Sequence, residues 1–119
     1  MINFDSTKLI LLSLTLPFQL FGAQILCSGN SVENESIKIK FVIDDESNKI
    51  TAEDNVSYQL SVNNDFLYEW EAIVGNYIYI NTIDKLTGEM LILSRRAGDQ
   101  NLKNVAFLMC MNKGKAAIS

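Results

Sequence analysis

The sequence predicts an all-β domain, an antiparallel meander of about eight strands, barrel-like or sandwich, after an N-terminal signal segment. Three observations carry that expectation. Asn76–Ser94 (NYIYINTIDKLTGEMLILS) alternates with a period of two on both sides of a polar turn and is rich in β-branched and aromatic residues, the signature of a β-hairpin. Turn-forming clusters recur at intervals of roughly 8–12 residues, the spacing of a sandwich or small barrel. Two cysteines, Cys27 and Cys110, stand near the two ends of the mature chain. A bridge between them requires the first and last strands to lie side by side.

Residues 1–23 (MINFDSTKLILLSLTLPFQLFGA) have the form of a secretory signal: Lys8 precedes an apolar run from Leu9 to Phe21, closed by the small residues Gly22 and Ala23. The run is short of the roughly 20 residues needed to cross a bilayer and contains Pro17, so no stable membrane span is expected after processing. Cleavage after Ala23 leaves residues 24–119 as one small disulfide-stapled domain, located in the periplasm or secreted.

In the mature chain, Ile25–Cys27 reads as a first strand and Ser28–Glu35 (SGNSVENE) as a loop. Ser36–Asp44 (SIKIKFVID) alternates cleanly, with Ile37, Ile39, Phe41 and Ile43 inward and Lys38, Lys40 and Val42 outward. Asp44–Lys49 is a turn, Ile50–Ala52 a short return strand and Glu53–Asn55 a second turn. Val56–Val62 (VSYQLSV) places Val56, Tyr58, Leu60 and Val62 on one face; Asn63-Asn64-Asp65 then turns the chain. Phe66–Val74 follows as a strand with Phe66, Tyr68, Trp70, Ala72 and Val74 on one face. A helical stripe through Leu67, Trp70, Ile73 and Val74 is its competitor, and Gly75-Asn76 favours the strand as a tight turn. In the hairpin that comes next, Asp84, Thr87 and Gly88 define the turn: Asp84 can accept from amides two or three residues on, and Gly88 tolerates positive φ. Ala97–Asn104 is a loop, Val105–Met111 (VAFLMCM) a last, almost wholly apolar strand, and Asn112–Ser119 a frayed tail.

The chemistry available is limited. The chain has no histidine, which excludes Ser–His and Cys–His nucleophiles, and two cysteines alone cannot complete a tetrahedral zinc site. Glu69 and Glu71 share a strand face about 7 Å apart, a pattern more often solvated than catalytic. Asp44, Glu46 and Asn48 have calcium-loop spacing, but Lys49 and Asn55 stand where an EF-hand needs Gly and Glu. The glycines are scattered singly and form no phosphate-cradling loop. Asn34-Glu35-Ser36 and Asn55-Val56-Ser57 are glycosylation triplets that matter only in a eukaryotic secretory pathway. No enzyme activity, cofactor or metal is expected. Net charge is −4, with ten acids and three lysines over residues 24–75 against three acids and six bases over residues 76–119. An acidic whole argues against nucleic acid as a partner.

Cys27-Ser28-Gly29, Ile83-Asp84-Lys85-Leu86-Thr87-Gly88 and Cys110 together resemble a class of small uncharacterised bacterial periplasmic or secreted β-proteins. Those proteins show an early Cys-x-Gly, a late Ile-Asn-Arg-x-Thr-Gly hairpin and a closing cysteine. Asp84 and Lys85 replace the usual Asn and Arg, and the resemblance implies an exported β domain without assigning an activity. In its expected architecture the chain is also similar to the membrane-bound lysozyme inhibitors, but their Ser-Gly-x-x-Tyr inhibitory loop has no counterpart here. Two functions follow as expectations. One is a non-enzymatic binding or inhibitor module acting on an envelope or extracellular protein through loops or a sheet edge. The other is a small-ligand carrier whose lipocalin-like cavity would be lined by Tyr58, Trp70 and Tyr79.

Overall fold

Among the described residues, alternation is realised as nine strands: β1 (Ala23–Ser31), β2 (Ser36–Asp44), β3 (Lys49–Ala52), β4 (Ser57–Gln59), β5 (Val62–Asn63), β6 (Leu67–Val74), β7 (Tyr77–Asp84), β8 (Glu89–Arg96) and β9 (Lys103–Asn112). The computed structural model describes residues 23–112; the expectations for the signal segment up to residue 22 and for the tail 113–119 lie outside the described residues. The strands form one antiparallel sheet in the order β4-β3-β2-β1-β9-β8-β7-β6-β5. Every ladder but β1–β9 joins elements consecutive in the chain, so the all-β meander holds.

The sheet curls because one segment serves both of its edges. Between β4 and β5 lie only Leu60 and Ser61, and there the chain changes partner. The Leu60 N–H donates to the Asn48 carbonyl at 2.9 Å, and the Ser61 N–H to the Glu69 carbonyl at 2.7 Å. The predicted strand Val56–Val62 is therefore cut in two, and eight spans of chain give nine strands in a barrel-like sheet. The switch also breaks the alternation. Tyr58 pairs with inward Ile50, Leu60 is buried, yet Val62 pairs with Glu69 and Asn63 with buried Tyr68. Ser61 and Val62 both face Glu69, a bulge that moves Val62 off the face it was expected to share with Tyr58 and Leu60.

A second correction concerns Ser28-Gly29-Asn30, which continues β1 rather than forming a loop. It is paired on both sides, with β2 and with β9. Gly29 lies opposite Leu108, and a Cβ there would collide with the Phe107 carbonyl and with Leu108. Its composition reads as a turn, but the absence of a side chain is what lets β1 and β9 pack.

The interior is built from Phe41 and Ile43 of β2, which were expected inward, with Ile50 of β3, Trp70 of β6, Ile83 of β7, Met90 of β8 and Leu108 of β9. Full burial of side chains such as these contributes about 1.5–3 kcal/mol each. Phe41 and Trp70, from strands that are not neighbours in the sheet, meet edge to face with centroids 5.2 Å apart. The helical alternative for residues 66–74 fails because β6 finds a full ladder on β7, from Leu67↔Asp84 to Val74↔Tyr77. Cys27 stands directly opposite Cys110, Cα to Cα 3.9 Å, and the two form the expected disulfide.

Candidate functional site

Three turns share one end of the barrel: that between β2 and β3, that between β5 and β6, and that between β7 and β8. Each is locked by an Asx side chain. In the β7–β8 turn, Asp84 Oδ1 accepts from the N–H groups of Leu86 (2.8 Å) and Thr87 (3.1 Å). The Gly88 N–H donates to the Asp84 carbonyl at 2.8 Å, Gly88 has φ of 83°, and the Thr87 hydroxyl accepts from the Glu89 N–H at 3.2 Å. The Asp84 carboxylate, the Thr87 hydroxyl and the left-handed Gly88 together form this turn. The β2–β3 turn repeats the design: Asp44 Oδ1 accepts from Glu46 and Ser47 N–H groups, and Asn48, at the position of Gly88, has φ of 60°. In the β5–β6 turn, Asn64 Oδ1 accepts from Phe66 (2.8 Å) and Leu67 (2.9 Å).

Two of these turns are joined directly, the Lys85 N–H donating to the Phe66 carbonyl at 2.7 Å. Their apices carry bulky apolar side chains into solvent: Leu86 is 73% exposed and Phe66 61%. Phe66 was expected on a strand, on the same face as Tyr68 and Trp70, which are buried. It is exposed because the Asn64 carboxamide holds the Phe66 and Leu67 amides in the turn, and β6 begins only at Leu67.

Beneath the apices a polar network ties all three turns together. Asn63 Nδ2 donates to Asp45 Oδ1 (3.2 Å) and to Asn48 Oδ1 (3.0 Å), while Lys85 Nζ donates to Asn63 Oδ1 (3.0 Å). The same ammonium lies 4.0 Å from the centre of the Tyr68 ring, a cation–π contact, and the Tyr68 hydroxyl donates to Asp45 Oδ1 at 3.4 Å. Burial pulls Lys85 below the ordinary lysine range, against Asp45 and Asp65, which favour its charge. Burial likewise holds the Tyr68 phenol protonated well above its ordinary range, and the Asp45 carboxylate adds to this. Each of these side chains is engaged with a neighbour. The network fixes the rim in place, linking the three turns through Asn63, Lys85 and Asp45.

The calcium-loop spacing does not become a site. Asp44 is turned to the amides of its own turn, and Asn48 donates to the Leu60 carbonyl at 3.1 Å. Among the described residues no group of three or more His, Cys, Asp or Glu is placed to hold a metal ion. Glu69 accepts from the Thr82 hydroxyl at 3.3 Å and Glu71 is exposed, which is the structural role of that pair. Of the three aromatics expected to line a cavity, Trp70 is 2% exposed in the core, and Tyr58 and Tyr79 are half-buried and packed against it. A shallow cavity of about 340 Å³ opens instead along β2 and β3, lined by Lys40, Val42, Thr51 and Glu53 among others; none of the three aromatics lines it.

Sequence reasoning placed the three turns but did not bring Asp45, Asn48, Asn63, Tyr68 and Lys85 together. A signal was present in the recurrence of Asp at the first position and a φ-tolerant residue at the fifth, Asp44…Asn48 and Asp84…Gly88. Compared with known proteins, the chain matches no family model, no curated protein and no solved structure.

Proposed function

We propose that the protein is a non-enzymatic binding or inhibitor module that engages another exported protein through the rim of turns at this end of the barrel. The observation that carries this reading is the pair Phe66 and Leu86: two exposed apolar side chains on adjacent turns, each turn locked by its own Asx side chain and joined to the other by a backbone hydrogen bond. Anchors held in advance lose little entropy on docking, and a few such anchors supply most of the affinity of an interface. The Cys27–Cys110 bridge is compatible with an oxidising compartment, so the partner is sought in the periplasm or outside the cell. Among the described residues no helix is long and apolar enough to cross a membrane.

The carrier reading is weighed down by the burial of Trp70 and its edge-to-face contact with Phe41, which occupy the indole expected to line a cavity. The test is capture from envelope extract by immobilised wild-type protein, run beside the Phe66→Ala/Leu86→Ala double variant. Both substituted residues are exposed, so the variant keeps its thermal midpoint. A partner retained by wild type and lost by the variant supports the rim. Identical capture by the two proteins, or saturable uptake of a fluorescent fatty acid with quenching of Trp70 emission, overturns it.

A further inference from the structure

We infer that the outer face of β8 and β9 is a self-association surface, on which a second copy of this chain docks with its strands running antiparallel to the first. β9 is apolar on both faces. Ala106, Leu108 and Cys110 fill the interior, while Phe107 and Met109 face outward and are about half exposed. The patch continues across the register: Leu91 of β8 stands opposite Phe107 and is exposed, and Ile80 of β7 stands opposite Leu93. A strand apolar on both sides is the pattern of a strand covered on both sides, and a contiguous outward patch of this kind marks an interface.

The charges at the ends of β8 identify the occupant. Its outward row reads Glu89, Leu91, Leu93, Arg95, an acid and a base placed symmetrically about Ile92. Consider a two-fold axis lying in the face and crossing the strands at Ile92. It lays two such rows over one another in opposite directions. Leu91 of each copy then meets Leu93 of the other, and Glu89 of each meets Arg95 of the other, so the acid–base pair is made twice. Stacking in the parallel sense would set Glu89 on Glu89 and Arg95 on Arg95. Aligned packing of two sheets with interdigitating side chains has this geometry, and a patch that is its own complement is what an isologous dimer requires. A lipid surface offers no cation and anion fixed at the spacing of Glu89 and Arg95, so the acid–base order along the row favours a second copy. Arg95 reaches the Asp99 carbonyl at 3.4 Å, which keeps its guanidinium at the exposed end of the row. The face is on the barrel wall rather than the rim, so the inference stands apart from the binding function proposed above.

The experiment is sedimentation equilibrium of the purified exported protein over a concentration series. The wild type is expected to approach the mass of two chains. Phe107→Glu, Glu89→Arg and Arg95→Glu should each weaken association by roughly tenfold or more, and the double reversal Glu89→Arg/Arg95→Glu should restore it. All are surface changes, checked by Trp70 emission and thermal melting; should Phe107→Glu fail to fold, the charge reversals carry the test. Monomer mass up to about 1 mM overturns the inference, as does a dimer insensitive to the reversals or a double reversal that restores nothing. A monomer that floats with phosphatidylglycerol vesicles, or that binds a different protein through Phe107, also overturns it.

Discussion

Replacing Gly88 by alanine tests the turn and the disulfide-bearing ladder at once. Two costs add there. Gly88 has φ of 83°, a left-handed conformation that costs a residue with a Cβ about 1–2 kcal/mol. The new Cβ would also stand 2.7 Å from the Cys110 carbonyl oxygen, and that oxygen has little freedom to retreat. Cys110 is buried, its N–H is bonded to the Gly88 carbonyl at 2.7 Å, and its sulfur is bridged to Cys27. Overpacking against fixed atoms costs about 1–3 kcal/mol. The reduced entropy of the unfolded chain returns about 0.4–1 kcal/mol, so the net loss is about 2–3 kcal/mol. Gly75 is the control: its φ is 61°, but a Cβ meets nothing within 4 Å, so Gly75→Ala carries the conformational cost alone, about 0.5–1 kcal/mol net. Urea unfolding followed by Trp70 emission measures both. In thermal melts, about 4–8 °C is lost per kcal/mol in a domain of this size, so the two variants should separate by roughly 10 °C. Equal destabilisation of the two within about 0.5 kcal/mol would refute the close approach of Gly88 to Cys110.

Three further outcomes follow from the same packing. Gly29→Ala forces a Cβ onto the Phe107 carbonyl and Leu108, and should destabilise by about 1–3 kcal/mol; a neutral result in urea unfolding would mean that the two strands lie further apart. Reduction of the Cys27–Cys110 bridge, or its replacement by two serines, opens a closure of 83 residues that the chain-entropy model values at about 4.5 kcal/mol. That is a large share of a typical total of about 5–15 kcal/mol, and an unchanged melting temperature after reduction would contradict it. Alkaline stability reports on the rim. Tyr68 stays protonated above its ordinary value of 10.0, so above about pH 10 the unfolded state binds fewer protons than the folded state. The stability that Tyr68 contributes is full below that pH and is lost above it, by up to about 1.4 kcal/mol per pH unit. Lys85 has the opposite sign: its lowered value makes stability rise as pH approaches 10.5. Comparing wild type with Tyr68→Phe between pH 10 and 11 isolates the phenol, and identical slopes would show that it is not held protonated.

The fold was legible wherever one segment's own pattern determines its state. The β7–β8 hairpin, the Asp84 turn and the left-handed Gly88 depend on residues within a few positions of one another, and the sequence carries them openly. The pairing of β1 with β9 was legible through the cysteines alone. What stayed hidden depends on neighbours from elsewhere in the chain. Ser28-Gly29-Asn30 is a strand because β2 and β9 flank it, against a composition that favours a turn. Val62 leaves the inward face because the chain changes partner at Leu60–Ser61, an event that periodicity within Val56–Val62 does not encode. The rim escaped notice for the same reason, since Asp45 and Lys85 come from two turns and Asn63 from the end of β5, which only the curled sheet assembles.

The ladder that carries the bridge has a kinetic meaning as well. Among the described residues seven of the eight ladders link strands adjacent in the chain, and each can form as soon as its own short turn is made. The β1–β9 ladder has no such local start, because its strands meet only across almost the whole domain. The entropy of closing that long loop falls due before any β1–β9 contact repays it, so this pairing sets the pace of folding. Oxidation of Cys27 with Cys110 settles that search in advance. An oxidised chain refolding from denaturant starts as a ring whose remaining steps are local, whereas a reduced chain must find its two ends by diffusion while Val105–Met111, apolar on both faces, stays uncovered. The conditions under which the bond forms therefore govern how long this doubly apolar strand stays exposed.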